Sequence, residues 1–362
     1  MSKYFPKIPK AFGCNWYHNK YSDVKSNEYY GKYPERAWDH FVNHGLGEGR
    51  KYAPDTTVPP SPPPPPEPPD PKPDSPYFDF YGQQKFLVFV SYFDGIRAKH
   101  LESDLDYLKS KGIDGIRLYL NFSYPPNRPW DFLFRPDGSL HPHKLGMLGY
   151  ILRLARDRNM IVDISSSRRL DPDGWQMSFG TYAHAWRLLT LELQKWTFGN
   201  YIIDIENEHN CPWAGQKRTM TPEEAFKTRS AIRNSLPTVP ITASVACNIS
   251  PEAAASIAMA EGMTCVGYHN PRVQGWAEAT EELALRCKRW IGDNSIKVYD
   301  QEPPRIGAGV SSTQELRVAL AGARRAKIAG WCFHTDAGFK LSDGSFESKL
   351  KPVGREFLNG LD

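Results

Sequence analysis

Two stretches of the chain place carboxylates where an apolar run has just ended. In YIIDIENEHN, residues 201–210, Tyr201, Ile202, Ile203 and Ile205 read as a buried strand, and Asp204, Glu206, Asn207 and Glu208 interrupt or follow it. In IKVYDQEPPR, residues 296–305, a second apolar run gives way to Asp300, Gln301 and Glu302. Burying an unpaired carboxylate is costly, so acids at the end of a core strand need partners or a task. Two carboxyl groups facing each other about 5 Å apart can divide one task between them. One attacks an anomeric carbon, while the other first donates a proton to the leaving oxygen and then takes one from water. Asp204, Glu206 and Glu208 alternate along one strand, so all three are expected to point inward, Asp204 into buried hydrogen bonds. Asp300 competes with Glu302 for the nucleophile's place, two residues earlier on the same strand face. Glu302 is favoured because it lies further out.

Facing carboxylates require elements that bring distant strands together. Apolar runs recur at 86–90, 115–120, 160–164, 202–205, 241–245, 264–268, 296–299 and 330–333. Between them, helical spacing marks His100–Lys111, Lys144–Arg158, Ala183–Trp196, Glu223–Ser235, Ala277–Trp290 and Gln314–Ala326. Strands alternating with helices in this number predict an α/β fold, a (β/α)8 TIM barrel, with chemistry at the C-terminal ends of the strands. An open doubly wound sheet is the runner-up. The lack of a GxGxxG or Walker loop after the first strand counts against it.

Composition sets the wider frame. Residues 54–76, PDTTVPPSPPPPPEPPDPKPDSP, cannot pack as helix or sheet, because proline removes donors and fixes φ. They predict a stiff spacer between a small helical module, 1–53, and a large domain, 77–362. In the module, Ala37, Trp38, Phe41 and Val42 have helical spacing, with Pro34 and Glu35 suited to the start and Gly45 and Gly47 to the end. A net charge of +4 without any basic block excludes nucleic acid and an anionic membrane surface as expected partners. No apolar run reaches membrane-spanning length, and the first seventeen residues lack the apolar core of a secretory signal. Six cysteines, Cys14, Cys211, Cys247, Cys265, Cys287 and Cys332, form no CxxC pair, and most read as buried thiols. His141 and His143 have no carboxylate or thiol at ligand spacing and read as loop histidines, so neither metal nor cofactor is expected.

Residues 80–362 resemble a clan A glycoside hydrolase, closest to the family 5 cellulase and mannanase group. The motifs that carry the resemblance are the Asn207–Glu208 dipeptide after the fourth strand, Glu302 after the seventh, GIRLYLNF around Arg117, VGYHNPR around Tyr268 and His269, and GWCFH around Trp331. The segment LFRPDGSLHPHKLGMLGYILRLARDRNMIVDIS adds to it. The resemblance implies Glu208 as acid/base and Glu302 as nucleophile. It implies Asn207 against the sugar 2-hydroxyl and Arg117 beside the nucleophile. Tyr268 or His269 would also reach the nucleophile, and Trp331 would form a floor beneath the sugar. By position alone, Phe93, Asp94 and Arg97 follow the first strand and are candidates to line the cleft, and Trp130 and Trp175, in loops after the second and third strands, are candidates either for sugar stacking or for simple loop packing. The sequence departs from the pattern at His209, where proline is usual, at Pro303–Pro304, and in Ser165–Arg169, where a histidine is usual.

The implied activity is retaining cleavage of a β-linked polysaccharide by an endo-acting enzyme. The alternatives are a catalytically inactive glycan-binding barrel, such as a phage or surface adhesin, and a transglycosylase using the same residues. The N-terminal pattern, YxxxYxDV followed by AWxHFVxHGxxEGR, resembles a short helical repeat of bacterial surface and phage proteins. It implies attachment to a cell surface or virion, or spacing, and an extracellular or virion-associated setting; the alternative is a degenerate accessory module without a ligand.

Overall fold

The computed structural model describes residues 19–22, 75–121, 132–168, 177–209 and 220–361, apart from 248, 293 and 307. The chain divides into two units, Met1–Pro69 and Asp70–Asp362, and the strands and helices of the large domain belong to the second. The helix expected within 1–53, most of the proline segment, Cys14, Cys211, Trp130 and Trp175 lie outside the described residues.

Eight parallel strands form the core: β1 Leu87–Ser91, β2 Gly115–Tyr119, β3 Ile161–Ser165, β4 Tyr201–Asp204, β5 Ile241–Thr242, β6 Cys265–Tyr268, β7 Lys297–Asp300 and β8 Gly330–Phe333. Their order in the sheet is β5-β4-β3-β2-β1-β8-β7-β6. A parallel bridge between Val245 and Tyr268 joins β5 to β6, so the sheet closes on itself as the expected (β/α)8 barrel. The helices longer than one turn are α1 Leu101–Ser110, α2 Pro142–Arg156, α3 Phe179–Trp196, α4 Pro222–Ser235, α5 Pro251–Ala260, α6 Trp276–Ile291, α7 Thr313–Arg325 and α8 Pro352–Asn359. Six lie where helical spacing placed them, within a few residues. Helix α5, PEAAASIAMA, was missed because its alanines give no apolar stripe that stands out from the rest of the segment. His141 precedes α2 and His143 lies in its first turn, so these two histidines belong to a helix start instead of a loop. Among the described residues no helix is long and apolar enough to cross a membrane.

Strand alternation sorts the side chains into two cores. Outward residues such as Val88, Val90, Ile116, Leu118, Ile203 and Trp331 join the helices in one large cluster. Inward residues Leu87, Phe89, Ile161, Ile202, Cys265, Tyr299 and Cys332 fill the barrel with Phe78 and Phe80, which precede β1. This apolar plug occupies the N-terminal half of the barrel. Above it the inward positions turn polar: Arg117, Asp163, Ser165, Asp204 and Gln301 are all 0% exposed. Gly267 makes this layer possible, since a Cβ there would stand 2.5 Å from Gln301 Oε1.

Candidate active site

Arg117 leaves β2 into the centre of the polar layer, between the rings of Phe93 and Tyr119, 5.4 and 5.3 Å from its guanidinium carbon. A buried guanidinium must spend its N–H groups on acceptors. Nη1 donates to Glu302 Oε2 at 2.8 Å and to the Gln301 carbonyl at 3.3 Å. Nη2 donates to Asn207 Oδ1 at 2.8 Å and Asp204 Oδ2 at 3.2 Å, and Nε donates to Ser165 Oγ at 3.1 Å. Asp204 is held in turn by Ser165 Oγ, by Ser244 Oγ and by the Ser244 amide, at 2.9 to 3.0 Å. It makes the buried hydrogen bonds expected of it. Asp163, 3.5 Å from Arg117 Nε, accepts from Gln301 Nε2 at 2.8 Å, and burial foremost pushes its carboxyl up to about 7.

The fixed Arg117 aligns groups beyond the strand ends. Glu208 follows β4 in a turn with φ +51°, a left-handed conformation that costs a non-glycine residue energy and needs surrounding contacts to hold it. Its amide donates to Ser244 Oγ at 3.1 Å, and its Oε1 lies 3.0 Å from His269 Nδ1. Glu302 stands opposite, with Arg117 on Oε2 and Arg272 Nη2 at 3.0 Å from Oε1. His269 Nε2 is 3.9 Å from Glu302 Oε2, so this one ring spans both glutamates. A carboxylate oxygen from each glutamate and a His269 nitrogen all lie within 4.8 Å of one another. Such a triad is also a set of potential metal donors. Among the described residues nothing further completes a coordination sphere around it, and both glutamates already have cationic or imidazole partners.

The charges around Glu302 set its state. Burial alone would raise the Glu302 carboxyl. The charges of His269, His334, Arg117 and Arg272 override it and hold the group well below the usual carboxylate range. His334 follows β8, donates Nδ1–H to the Pro303 carbonyl at 2.9 Å, and is pushed by burial down to about 4. Asn207 gives its oxygen to Arg117, which only donates, so its amide NH2 is the end left to address a ligand.

The other sequence expectations fall into place around this frame. Glu206 is not at the pair: it accepts from the Arg168 amide at 3.0 Å and from Arg168 Nε at 3.2 Å. Burial raises its carboxyl to about 7. Asp300 lies on the outer side of β7, beside Asn270 Nδ2 at 3.3 Å, and Asn270 in turn reaches Thr280 of α6. Burial raises the Asp300 carboxyl well above its ordinary value. Of the pair Tyr268 and His269, only His269 faces the glutamates. Tyr268 belongs to the outer cluster. Trp331 corrects the expected floor: it is 0% exposed, points outward, and meets Phe357 of α8 with ring centres 5.9 Å apart. Strand parity explains both, since β6 and β8 turn these side chains toward the helices, and His334 takes the next inward position after Cys332. Asp94 is structural: it pairs with Arg97 and accepts from the Leu341 and Ser342 amides. Phe93 packs on Arg117 and stacks on Phe339, 5.0 Å between centres. Cys265, Cys287 and Cys332 are buried free thiols, as expected, and Cys247 is a half-buried one. Arg272 went unremarked in the sequence. Its signal was a cation in YHNPR, a few residues past the sixth strand on the side where chemistry belongs.

His209, where the sequence departs from the expected proline, has an evident job. Its Nδ1 meets the Ser244 carbonyl and its Nε2 meets Glu261 Oε1, both at 2.9 Å and both buried. Two acceptors call for two N–H donors, so the ring is an imidazolium paired with Glu261. Burial alone would lower its pKa, but the bond and charge of Glu261 raise it above the usual 6.5. A raised folded value means this contribution to stability is fully present below 6.5 and is lost as pH rises through the folded pKa. Glu261→Gln should therefore lower the melting temperature below pH 6.5 by several degrees, at roughly 2–4 °C per kcal/mol in domains of a few hundred residues. The gap from wild type should close at alkaline pH. Melting curves across that range check it, and a gap independent of pH would refute the ion pair.

No protein-family model matches the chain, and no curated protein matches it in sequence. Solved structures do share its fold. The exo-β-1,4-mannosidase Op5Man5 from Opitutaceae bacterium strain TAV5 aligns with a TM-score of 0.57 at 18% identity, over 79% of this chain and 60% of its own. A GH5_18 protein from Streptomyces cattleya, solved in complex with GlcNAc, gives 0.55 at 14% identity, over 76% and 79% of the two chains. A GH5_18 variant from Bifidobacterium longum subsp. longum ATCC 55813, in complex with Manβ1-4GlcNAc, gives 0.53 at 13%, over 76% and 77%. The chain spans less than two thirds of the mannosidase it matches. At such identities the shared property is the fold, and the chain's large domain is a (β/α)8 barrel.

Proposed function

We propose that the barrel is a retaining glycoside hydrolase that cleaves β-linked polysaccharide by double displacement. One observation carries the reading. Two glutamates from the ends of β4 and β7 bring carboxylate oxygens within 4.8 Å of each other, the close spacing of retaining enzymes rather than the wider gap that admits a water. Their environments divide the labour. Glu302, kept ionised by the histidines and arginines around it, attacks C1 of the sugar. As the bond from C1 to the Glu302 oxygen forms, the C1–O glycosidic bond breaks and Glu208 passes its proton to the departing oxygen. Water then attacks C1, gives a proton back to Glu208, and displaces Glu302. Arg117 holds the nucleophile without moving, since its N–H groups are committed to fixed acceptors. Asn207 presents its NH2 toward the sugar. His269 links the two acids as a positioning group.

The fold neighbours support a carbohydrate substrate, since by their own descriptions one is a β-1,4-mannosidase and two were solved with bound sugars. The inactive adhesin is the weaker reading, because an adhesin has no use for a nucleophile held ionised 3.0 Å or less from two guanidinium groups. A screen of soluble β-glycans for new reducing ends tests the proposal, with Glu302→Gln as control. We expect at least one glycan to be cut by the wild type and left intact by the variant. Cleavage of none, or equal cleavage by both, would reject it.

A further inference from the structure

Each oxygen of Glu302 meets a guanidinium, so a sugar that brings C1 up to either oxygen must share or displace one of them. Oε2 is bound by Arg117 at 2.8 Å and Oε1 by Arg272 at 3.0 Å. The two arginines differ in freedom. Arg117 is wholly buried and also bound to Asp204, Asn207, Ser165 and the Gln301 carbonyl, so withdrawing it would strand several polar groups. Arg272 sits beyond the end of β6, its side chain is 37% exposed, and among the described residues Glu302 is its one ion-pair partner. Of the two contacts, the one at Oε1 is therefore the easier to open, and Arg272 is the guanidinium free to swing aside.

A guanidinium displaced from its carboxylate beside a nucleophile only 7% exposed needs a new counter-charge. A neutral sugar parts the ion pair and supplies none. A sugar bearing a carboxylate or a sulfate ester supplies one, in a shape that the planar fork of arginine binds through two parallel hydrogen bonds. We infer that Arg272 is a specificity-determining residue that exchanges Glu302 for an anionic group on the sugar, so the preferred substrate is an acidic β-glycan. This rests on the reading of Glu302 as the nucleophile.

The test uses the full-length protein and three matched substrates: a soluble neutral β-glycan, the same glycan oxidised at C6 to the carboxylate, and the same glycan sulfated at C6. Release of reducing ends gives kcat/KM for each with the wild type, Arg272→Gln and Arg272→Lys. The wild type should favour one of the acidic forms by about 10- to 100-fold, the range of a hydrogen-bonded charge. Whichever form is favoured separates uronate from sulfate ester. Arg272→Gln should bring the acidic-to-neutral ratio close to one, and Arg272→Lys should restore part of it. A wild-type preference for the neutral glycan overturns the inference. So does an Arg272→Gln variant that slows all three substrates equally, which is the mark of a residue that only braces Glu302. If Glu302→Ala retains hydrolysis of these glycans, the nucleophile reading itself has failed, and that outcome is distinct from a lost ratio at Arg272.

Discussion

Replacing Glu302 by alanine is expected to lower turnover by on the order of 10^4-fold or more, the scale seen when a nucleophile is removed from a working unit. The loss should come from chemistry and not from unfolding. Arg117 keeps Asp204, Asp163, Asn207 and Ser165 as partners after Glu302 is gone, and the apolar plug below is untouched. Near wild-type melting temperature and circular dichroism would establish that. The truncation opens space on the face of the sugar where Glu302 stood, so added azide should attack C1 there in a single displacement. The product would be a glycosyl azide of inverted configuration. Asp300→Asn is the matched control. That carboxyl faces α6 and is pushed toward its protonated form by burial, so an amide of the same shape should leave turnover within a few-fold. If Asp300→Asn is inactive and Glu302→Ala is not, the two residues have been exchanged in this account.

The second large effect is expected at Glu208, and its size depends on the substrate. Glu208→Gln keeps the shape beside His269 but has no proton to give. For a polysaccharide, whose departing alkoxide needs that proton, glycosylation should slow by about 10^2- to 10^4-fold, the usual worth of a general acid. For an activated aryl glycoside, whose leaving group departs as a stable phenolate, the same step should be nearly unaffected. With Glu302 held well below the usual carboxylate range, the wild-type rate should persist on the acidic side of neutrality. Equal losses on both substrate kinds would move the role to another group, with Glu206 the nearest carboxylate in sequence.

Much of this was legible in the chain. Eight apolar runs of strand length, separated by helical spacing, sufficed for the barrel, because each strand in such a fold is buried on both faces and carries its own signal. The acids at the ends of β4 and β7 were legible because polar residues directly after a core strand are conspicuous. Which way a side chain points was harder to read. Parity holds only while a strand stays regular, and β7 ends at Asp300, two residues before Glu302. Asp300 therefore faces α6 while Glu302 turns into the mouth. Trp331 and Tyr268 sit on regular strands whose parity sends them outward, against the role their position beside the strand ends suggested. Arg272 carried only a faint signal, a cation just past the sixth strand. Its partner lies thirty residues away, and only the folded barrel brings the two within hydrogen-bond distance.

The most direct measurement of the central claim is to trap the covalent step. In an activated β-glycoside of the preferred sugar, fluorine at C2 slows both displacements while the good leaving group keeps the first one fast, so a glycosyl-enzyme with a true nucleophile accumulates. Intact-protein mass spectrometry followed by peptide mapping then reads where the sugar resides. If Glu302 is the nucleophile, one sugar is added per chain, attached to Glu302, and none in Glu302→Ala. A label on Asp300 or Glu208, or turnover without any label and with an inverted first product, would contradict it.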